Sequence, residues 1–290
     1  MKFTLTAVIP TAQYSNIQPS IEVEAETYEE AERMVLPYIE SLSARYAEEG
    51  KSLIPRGKEI QAVKLISELD GGYAFFDEST HTYTNSDGKK FISGSEFAEK
   101  FAYEFPLEAM AEKAGKARGI AKERLKDMWS LKGLASSSFG TALHAALEMW
   151  GKYGAESGEK ALHDQPILKN AVESFYAGRE DENAMYEVFV VDMAGLKCGR
   201  IDRLLVIDKD KKICRVQDYK TNADLTKMGS PKKLKAPYSH VDNNKLGIYQ
   251  LQLSFYAYIL SKLGWTVEGL DIFNYTDKWE TISLEVLNLN

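Results

Sequence analysis

Cysteine is scarce in this 290-residue chain, which contains only Cys198 and Cys214. Two thiols are too few for a four-cysteine zinc site or an iron–sulfur cluster, so the sequence excludes both kinds of centre. Apolar runs are also short, because none approaches the ~20 residues that a membrane-spanning helix needs. Residues 1–10 lack the basic and then apolar pattern of a signal peptide. We therefore expect a cytoplasmic protein that does not enter a membrane.

Positive charge is in deficit overall, with 36 Lys and Arg residues against 43 Asp and Glu residues and a formal net charge of −7. That balance argues mildly against a nucleic-acid partner. Basic residues are nevertheless concentrated in segments 113–132 and 227–245, the second of which contains Lys232, Lys233 and Lys235. Each segment is compatible with a solvated face or with a surface that binds a polyanion.

The N-terminal residues have the pattern of a small separate module. Residues 2–9 and 20–26 alternate like strands, and Thr27 to Glu30 form a capping box that opens a helix reaching about Ala47. We therefore predict a β-β-α module over residues 1–60 and a larger domain over residues 61–290.

The larger domain has the pattern of an α/β fold. Ser93 to Glu96 form a second capping box that opens a helix through Lys100. Helical periodicity is also present over residues 107–131, 141–153, 167–178 and 246–263. Strand patterns cover residues 73–76, 81–84, 185–193, 196–207, 212–220, 267–275 and 281–286. The order of helix, three mainly antiparallel strands, helix and strand predicts a central mixed sheet flanked by helices.

One predicted hairpin brings three charged residues to the same face of the sheet. A turn centred on Asp210 pairs Asp208 with Lys212, Ile207 with Ile213, Val206 with Cys214 and Leu204 with Val216. This register also places Asp202 opposite Asp218, with Cβ atoms roughly 4.5–5.5 Å apart. Lys220 lies two residues beyond Asp218 and therefore shares its face.

Two carboxylates at this distance repel each other unless a shared proton or a divalent cation neutralises them. Carboxylate oxygens suit Mg²⁺ or Mn²⁺, and a lysine beside such a cation is suited to hydrolysis of a phosphodiester. The alternative is a pair of surface carboxylates with a salt-bridging lysine, and the hairpin pattern alone leaves both interpretations open.

Four short motifs occur in order along the chain: Gly140-Thr-Ala-Leu-His144, Gly199-Arg-Ile-Asp202, Asp218-Tyr-Lys220 and Gln252-Leu-Ser-Phe-Tyr256. Together they resemble the PD-(D/E)XK nuclease superfamily, in particular its RecB-type and phage-exonuclease-like branch. The resemblance covers about residues 137–275. It implies a restriction-endonuclease-like core, and the shortage of cysteine places the chain outside the iron–sulfur members of that branch.

The resemblance also implies roles for individual residues. His144, Asp202, Asp218 and the carbonyl of Tyr219 correspond to ligands of Mg²⁺ or Mn²⁺, and Lys220 corresponds to the catalytic lysine. Gln252 and Tyr256 would orient the site or contact the DNA backbone. Glu187, on the preceding strand, would reach the metal or Lys220, although a plain surface glutamate fits that position equally well.

The function that follows from the resemblance is a metal-dependent deoxyribonuclease, with exonuclease activity in recombination, repair or phage DNA processing. The alternatives are an endonuclease of the same superfamily and a non-catalytic DNA-binding or assembly subunit. A third is a metal-dependent hydrolase of small phosphate esters, which the basic segments and the helix of Gln252 and Tyr256 disfavour. We expect Lys232, Lys233 and Lys235 to line a DNA groove. The chain has no phosphate-binding loop, so any recombination or helicase partner would be a separate protein. Some relatives form toroids, so an oligomer is compatible with the resemblance.

Overall fold

The computed structural model describes residues 2–6, 9–12, 15–17, 20–38, 63–78, 80–179 and 182–289. The chain divides into two compact units, Met1–Val63 with Asp77–His81 and Lys64–Phe76 with Thr82–Asn290. The sequence placed the boundary near residue 60. Within the described ranges, no helix combines the length and the apolar character needed to cross a bilayer.

The described residues of the first unit include four strands and a helix. Strand β1 (Lys2–Thr6) pairs antiparallel with β4 (Ser20–Glu24). Between them, β2 (Ile9–Ala12) and β3 (Ser15–Ile17) pair with each other. The predicted β-β-α order is therefore wrong, because it omits this inner hairpin. Strands of four and three residues are too short for their alternation to stand out in the sequence.

The helix of the first unit, α1, begins after Thr27 and is described over residues 28–38. The Thr27 hydroxyl accepts a hydrogen bond from the Glu30 amide at 3.2 Å, and the Glu30 carboxylate accepts one from the Glu26 amide at 2.9 Å. The predicted capping box is thus present, with its return bond one residue earlier than usual. The predicted continuation to Ala47 lies outside the described residues.

The second unit is an α/β structure built around a mixed six-stranded sheet. Its strands are β8 (Ile92–Ser93), β9 (Ala184–Asp192), β10 (Lys197–Asp208), β11 (Ile213–Lys220), β12 (Thr266–Tyr275) and β13 (Trp279–Leu284). They follow the order β13-β12-β11-β10-β8, and β9 also pairs with β10. The β11–β12 and β10–β8 pairs are parallel, whereas the other three are antiparallel. A separate three-stranded sheet has the order β5 (Val63–Ile66), β6 (Tyr73–Asp77) and β7 (Thr82–Thr84).

The described part of the second unit contains six helices: α2 (Gly94–Phe101), α3 (Leu107–Arg118), α4 (Lys122–Tyr153), α5 (Ala155–Ala161), α6 (Pro166–Tyr176) and α7 (Lys245–Lys262). The predicted helix over 107–131 is wrong, because Gly119 adopts a φ of 65° and ends α3. The predicted start at residue 141 is also wrong, because α4 begins at Lys122 and runs unbroken for 32 residues.

Helices cover both faces of the main sheet. Leu204, Val216 and Ile272 belong to a buried cluster that includes Leu253 and Ile259 of α7. Side chains alternate along a strand, so Tyr219 and Phe273 point to the opposite face. There they join a second buried cluster with residues of α4 and α6, including Leu143, Leu147 and Phe175. The end of β11 is therefore enclosed by helices on both sides.

The β10–β11 register largely follows the prediction. Leu204 lies opposite Val216 and Val206 opposite Cys214, as expected, and the same register extends to Arg203 and Gln217. The pairs predicted for Ile207 and Asp208 are wrong, because a bulge shifts the ladder and places Asp208 opposite Ile213. This shift lies at the turn, so it leaves the register toward Asp202 and Asp218 unchanged.

Candidate active site

Asp218 and Lys220 form a buried ion pair at the end of β11. Lys220 Nζ contacts Asp218 Oδ2 and donates a hydrogen bond to the Tyr219 carbonyl at 3.1 Å. The Asp218 side chain is only 4% exposed, and among the described residues no well-formed hydrogen bond reaches its Oδ2. Burial raises the pKa of Asp218 to about 7, an effect that the Lys220 charge opposes and the Asp202 charge reinforces. The site thus holds a carboxylate whose ionised form needs a nearby cation.

Lys220 itself remains charged in this environment. Burial lowers the pKa of Lys220, but the negative charges of Asp218 and Asp202 outweigh burial and raise the pKa above its ordinary value. A charged ammonium has no lone pair with which to accept a proton. Lys220 is therefore suited to neutralising negative charge rather than to deprotonating a water.

Asp202 connects the sheet to helix α4. Its Oδ2 lies 3.2 Å from Nδ1 of His144 and accepts a hydrogen bond from the Tyr219 amide at 3.0 Å. The His144 and Tyr219 rings also pack edge to face, with centroids 5.6 Å apart. The structure therefore brings His144, Asp202, Asp218 and Lys220, four residues predicted from the motifs, into one site.

The residues of this site fit a hard divalent cation. The two carboxylates, the imidazole of His144 and the Tyr219 carbonyl are the donors that Mg²⁺ or Mn²⁺ accepts. The buried Asp218 Oδ2, which lacks a well-formed hydrogen bond, supports this fit. Among the residues that the structure describes, no three His, Cys, Asp or Glu side chains are already gathered around a common point. Lys220 occupies the side of Asp218 instead.

Gly140 allows helix α4 to pass close to the end of β11. A Cβ atom at this position would lie 3.0 Å from the Thr221 hydroxyl, which is tighter than ordinary packing. Thr221 directly follows Lys220 in the chain. This close approach explains how the same helix delivers His144 to the site.

Gln252 and Tyr256 interact with each other on α7, since Gln252 Nε2 donates a hydrogen bond to the Tyr256 hydroxyl at 3.0 Å. Tyr256 is only 5% exposed. Its ring lies against Gly199 and Gly94, where a Cβ atom would come within 2.2 and 2.3 Å of ring carbons. Of the two predicted roles, this burial favours orienting the site over contacting DNA. The sequence analysis did not predict that Gly94 contacts Tyr256. The one feature of the sequence that marks Gly94 is its position directly after the helix cap Ser93.

Glu187 has a different partner from the one expected. Its carboxylate lies 3.3 Å from Nη1 of Arg200, so it pairs with Arg200 rather than with Lys220. Its φ is 54°, a left-handed value that is strained for a residue other than glycine. Burial raises the pKa of Glu187, although the Arg200 charge opposes this effect. Glu187 lines a cavity of about 260 Å³ together with Glu148 and Lys152, which pair with each other at 2.7 Å.

Two of the three predicted DNA-binding lysines have protein partners. Lys233 pairs with Asp242 at 2.6 Å, and Lys235 donates a hydrogen bond to the Lys100 carbonyl at 3.3 Å. Lys232 is exposed on the same loop. In the first basic segment, Lys122 lies 2.8 Å from the Glu108 carboxylate, which also contacts Lys126. Part of the positive charge in both segments is therefore compensated locally.

Comparison with known proteins adds little to this geometry. No family model and no curated protein match the chain. A solved structure named "Crystal structure of SSO0001" is 17% identical, and the match covers 50% of this chain and 64% of that one. The chain therefore spans less than two thirds of that neighbour's length. Its TM-score is 0.24, a value too low to support a conclusion about fold or function.

Proposed function

We propose that this chain is a divalent-cation-dependent deoxyribonuclease with the restriction-endonuclease-like core of the PD-(D/E)XK superfamily. The proposal rests above all on the buried Asp218 carboxylate, which lies beside the Lys220 ammonium and whose pKa is raised by burial and, to a smaller extent, by the neighbouring Asp202 charge. His144 on α4 completes this group through its 3.2 Å contact with Asp202. A mixed sheet with helices on both faces supports the assignment of the core.

Asp202, Asp218, His144 and the Tyr219 carbonyl would hold Mg²⁺ or Mn²⁺. When bound, such a cation lowers the pKa of a water and polarises a phosphate oxygen. Lys220 then supplies a fixed positive charge beside the phosphate, where negative charge accumulates in the transition state of phosphodiester hydrolysis. Its raised pKa supports this electrostatic role over that of a general base.

DNA is the proposed substrate because two basic segments flank the site residues in the sequence, although the chain as a whole has a net negative charge. Cations in segments 113–132 and 227–245 that are not fully compensated by carboxylates would contact phosphates without reading the sequence. Exonuclease activity is the specific form proposed, and it rests on the resemblance of the motifs alone.

The test compares linear duplex DNA with a covalently closed circle in Mg²⁺, Mn²⁺ or EDTA. Wild-type protein is measured beside Lys220→Ala and a matched control, Lys278→Ala, which alters an exposed lysine in the turn before β13. We expect degradation of the linear substrate and not of the circle. Activity should be lost in EDTA and in Lys220→Ala, and it should be retained in Lys278→Ala. Cleavage of the circle would make the protein an endonuclease. Binding without cleavage in either metal would contradict the proposed enzyme and favour a non-catalytic subunit.

A further inference from the structure

The Lys220 ammonium has a third neighbour that none of the four motifs includes. Lys220 Nζ lies over the ring of Tyr249, 4.7 Å from its centroid. A cation at this distance is attracted by the negative face of the aromatic ring. The ammonium is therefore surrounded by the Asp218 carboxylate, the Tyr219 carbonyl and the Tyr249 ring. Two of these three contacts do not involve a carboxylate, so the position of the ammonium does not depend on Asp218 alone.

The Tyr249 ring is itself held by a polar chain that leads back to the sheet. Its hydroxyl donates a hydrogen bond to Asn222 Oδ1 at 3.1 Å. Asn274 in turn makes two reciprocal bonds with the Asn222 backbone. The Asn222 amide donates to Asn274 Oδ1 at 3.0 Å, and Asn274 Nδ2 donates to the Asn222 carbonyl at 3.0 Å. The Asn274 side chain thus makes the two hydrogen bonds to residue 222 that the backbone of β12 would make if the β11–β12 pairing continued.

The position of Asn274 makes this arrangement part of the site. Asn274 lies directly opposite Lys220 in the parallel β11–β12 pair, and it is only 6% exposed. Its two side-chain bonds fix the backbone two residues after Lys220, where the chain leaves the sheet. Asn222 is thus held rigidly enough to anchor the Tyr249 hydroxyl.

We propose that Tyr249, anchored by Asn222 and Asn274, is a positioning residue that fixes the Lys220 ammonium for the reaction. This inference rests on the proposed function. A lysine side chain has four rotatable bonds and leaves its charge poorly located unless neighbours restrain it. Burial raises the pKa of Tyr249, so its hydroxyl stays protonated and remains a donor to Asn222. A tyrosine present only to fill space would require neither the ring-to-ammonium contact nor the hydroxyl anchor.

The first test measures kcat and KM for Tyr249→Leu, Tyr249→Phe and Asn222→Ala. Residues that orient catalytic groups typically contribute about 10–100-fold. We expect Tyr249→Leu to lower kcat by that order while KM stays unchanged. Tyr249→Phe keeps the ring and should retain most of the activity, and Asn222→Ala should fall between the two. Tyr258→Leu is the matched control, because Tyr258 lies on the same helix and its ring faces Lys197 instead.

The second test does not require catalysis. Acylation of Lys220 by an amine-reactive ester, followed by mass spectrometry, measures how often Lys220 is both uncharged and open to the reagent, because only the free amine reacts. Neighbours that hold the charged ammonium in place therefore slow its acylation. Tyr249→Leu should speed acylation of Lys220 several-fold, whereas Tyr258→Leu should leave it unchanged. Faster acylation in a protein that cleaves no DNA would support the positioning role and contradict the nuclease. Unchanged acylation in folded Tyr249→Leu, or unchanged kcat in an active enzyme, would overturn the positioning role.

Discussion

His144 Nδ1 lies 3.2 Å from Asp202 Oδ2, the same oxygen that accepts the Tyr219 amide at 3.0 Å. A long helix and the central strand of the sheet therefore meet at one carboxylate. Asp202 is held from two sides, and its charge acts on the buried Asp218. The arrangement couples the position of helix α4 to the geometry of the candidate metal ligands.

Replacing His144 by alanine should weaken the response to the metal. Loss of groups that merely support ligands costs about 10–100-fold in affinity or activity, so loss of a proposed ligand should cost at least that much. The measurement is the rate of DNA cleavage as a function of Mn²⁺ concentration. His163→Ala is the control, because His163 is exposed. An unchanged Mn²⁺ dependence in His144→Ala would remove this residue from the ligand set.

Gly199→Ala should destabilise the protein and disturb the site together. The added methyl would lie 2.2 Å from a ring carbon of Tyr256, so the ring must move. Overpacking of this kind typically costs about 1–3 kcal/mol in the free energy of unfolding. Urea denaturation measures the change. Gly133→Ala is the matched control, because no atom of the described residues lies within 4 Å of the added atom and a helix favours alanine. Equal stability of the two variants would contradict the packing seen at Tyr256.

The sequence predicted much of this site because its signals are local. Capping residues such as Thr27 and Ser93 identify where helices begin, and alternation along the hairpin gives the pairing of Leu204 with Val216. The predicted helix boundaries were wrong where local conformational preference was weak. Ser136, Ser137 and Ser138 are typical of a loop, yet α4 continues through them.

Contacts between distant segments could not be read from the sequence. Asn274 and Asn222 look like ordinary polar residues, and their pairing exists only because β12 lies beside β11. Likewise, the contact of Gly94 with Tyr256 depends on how α2 packs against α7. Both relationships are products of tertiary structure and have no periodic pattern in the chain.

Asp271 should contribute strongly to the stability of the sheet. Its carboxylate accepts hydrogen bonds from Arg215 at 2.7 and 2.9 Å, from Gln217 at 2.9 Å and from Ser283 at 2.7 Å. Removing one member of a buried pair of this kind costs about 3 kcal/mol, so Asp271→Ala should lose that order of unfolding free energy. Asp277→Ala, in the exposed turn after β12, is the control and should change little.

The contribution of Asp271 should also depend on pH. Burial pushes the pKa of Asp271 upward, but hydrogen bonds from Arg215, Gln217 and Ser283 outweigh it and lower the pKa below 3.8. A lowered pKa in the folded state gives stability that is present above the unfolded value and lost as pH falls through the folded one. The difference between wild type and Asp271→Ala should therefore shrink in strong acid. A constant difference would contradict the ion pair.

The contribution of Asp218 to stability should change with pH in the direction opposite to that of Asp271. Its pKa in the folded state is raised by burial to about 7, above the ordinary value of 3.8, so the native state binds this proton more tightly than the unfolded state. Without metal, the contribution of Asp218 to stability should fall as pH rises between these values. Mg²⁺ binds the ionised carboxylate, so it should raise Tm more near the upper of these two pH values than near the lower one. Asp218→Asn should remove that pH-dependent gain, and its persistence would contradict the assignment of Asp218 as a ligand.

A metal-dependent nuclease centred on Asp218 is tested most directly by the release of acid-soluble nucleotides from linear duplex DNA in Mg²⁺ or Mn²⁺, compared between wild type and Asp218→Asn. The substitution preserves the size of the side chain while removing its charge. We predict that wild type releases nucleotides steadily and that Asp218→Asn releases them at no more than background rate. Equal release by the two proteins, or no release by wild type in either Mg²⁺ or Mn²⁺, would contradict a metal-dependent nuclease centred on Asp218.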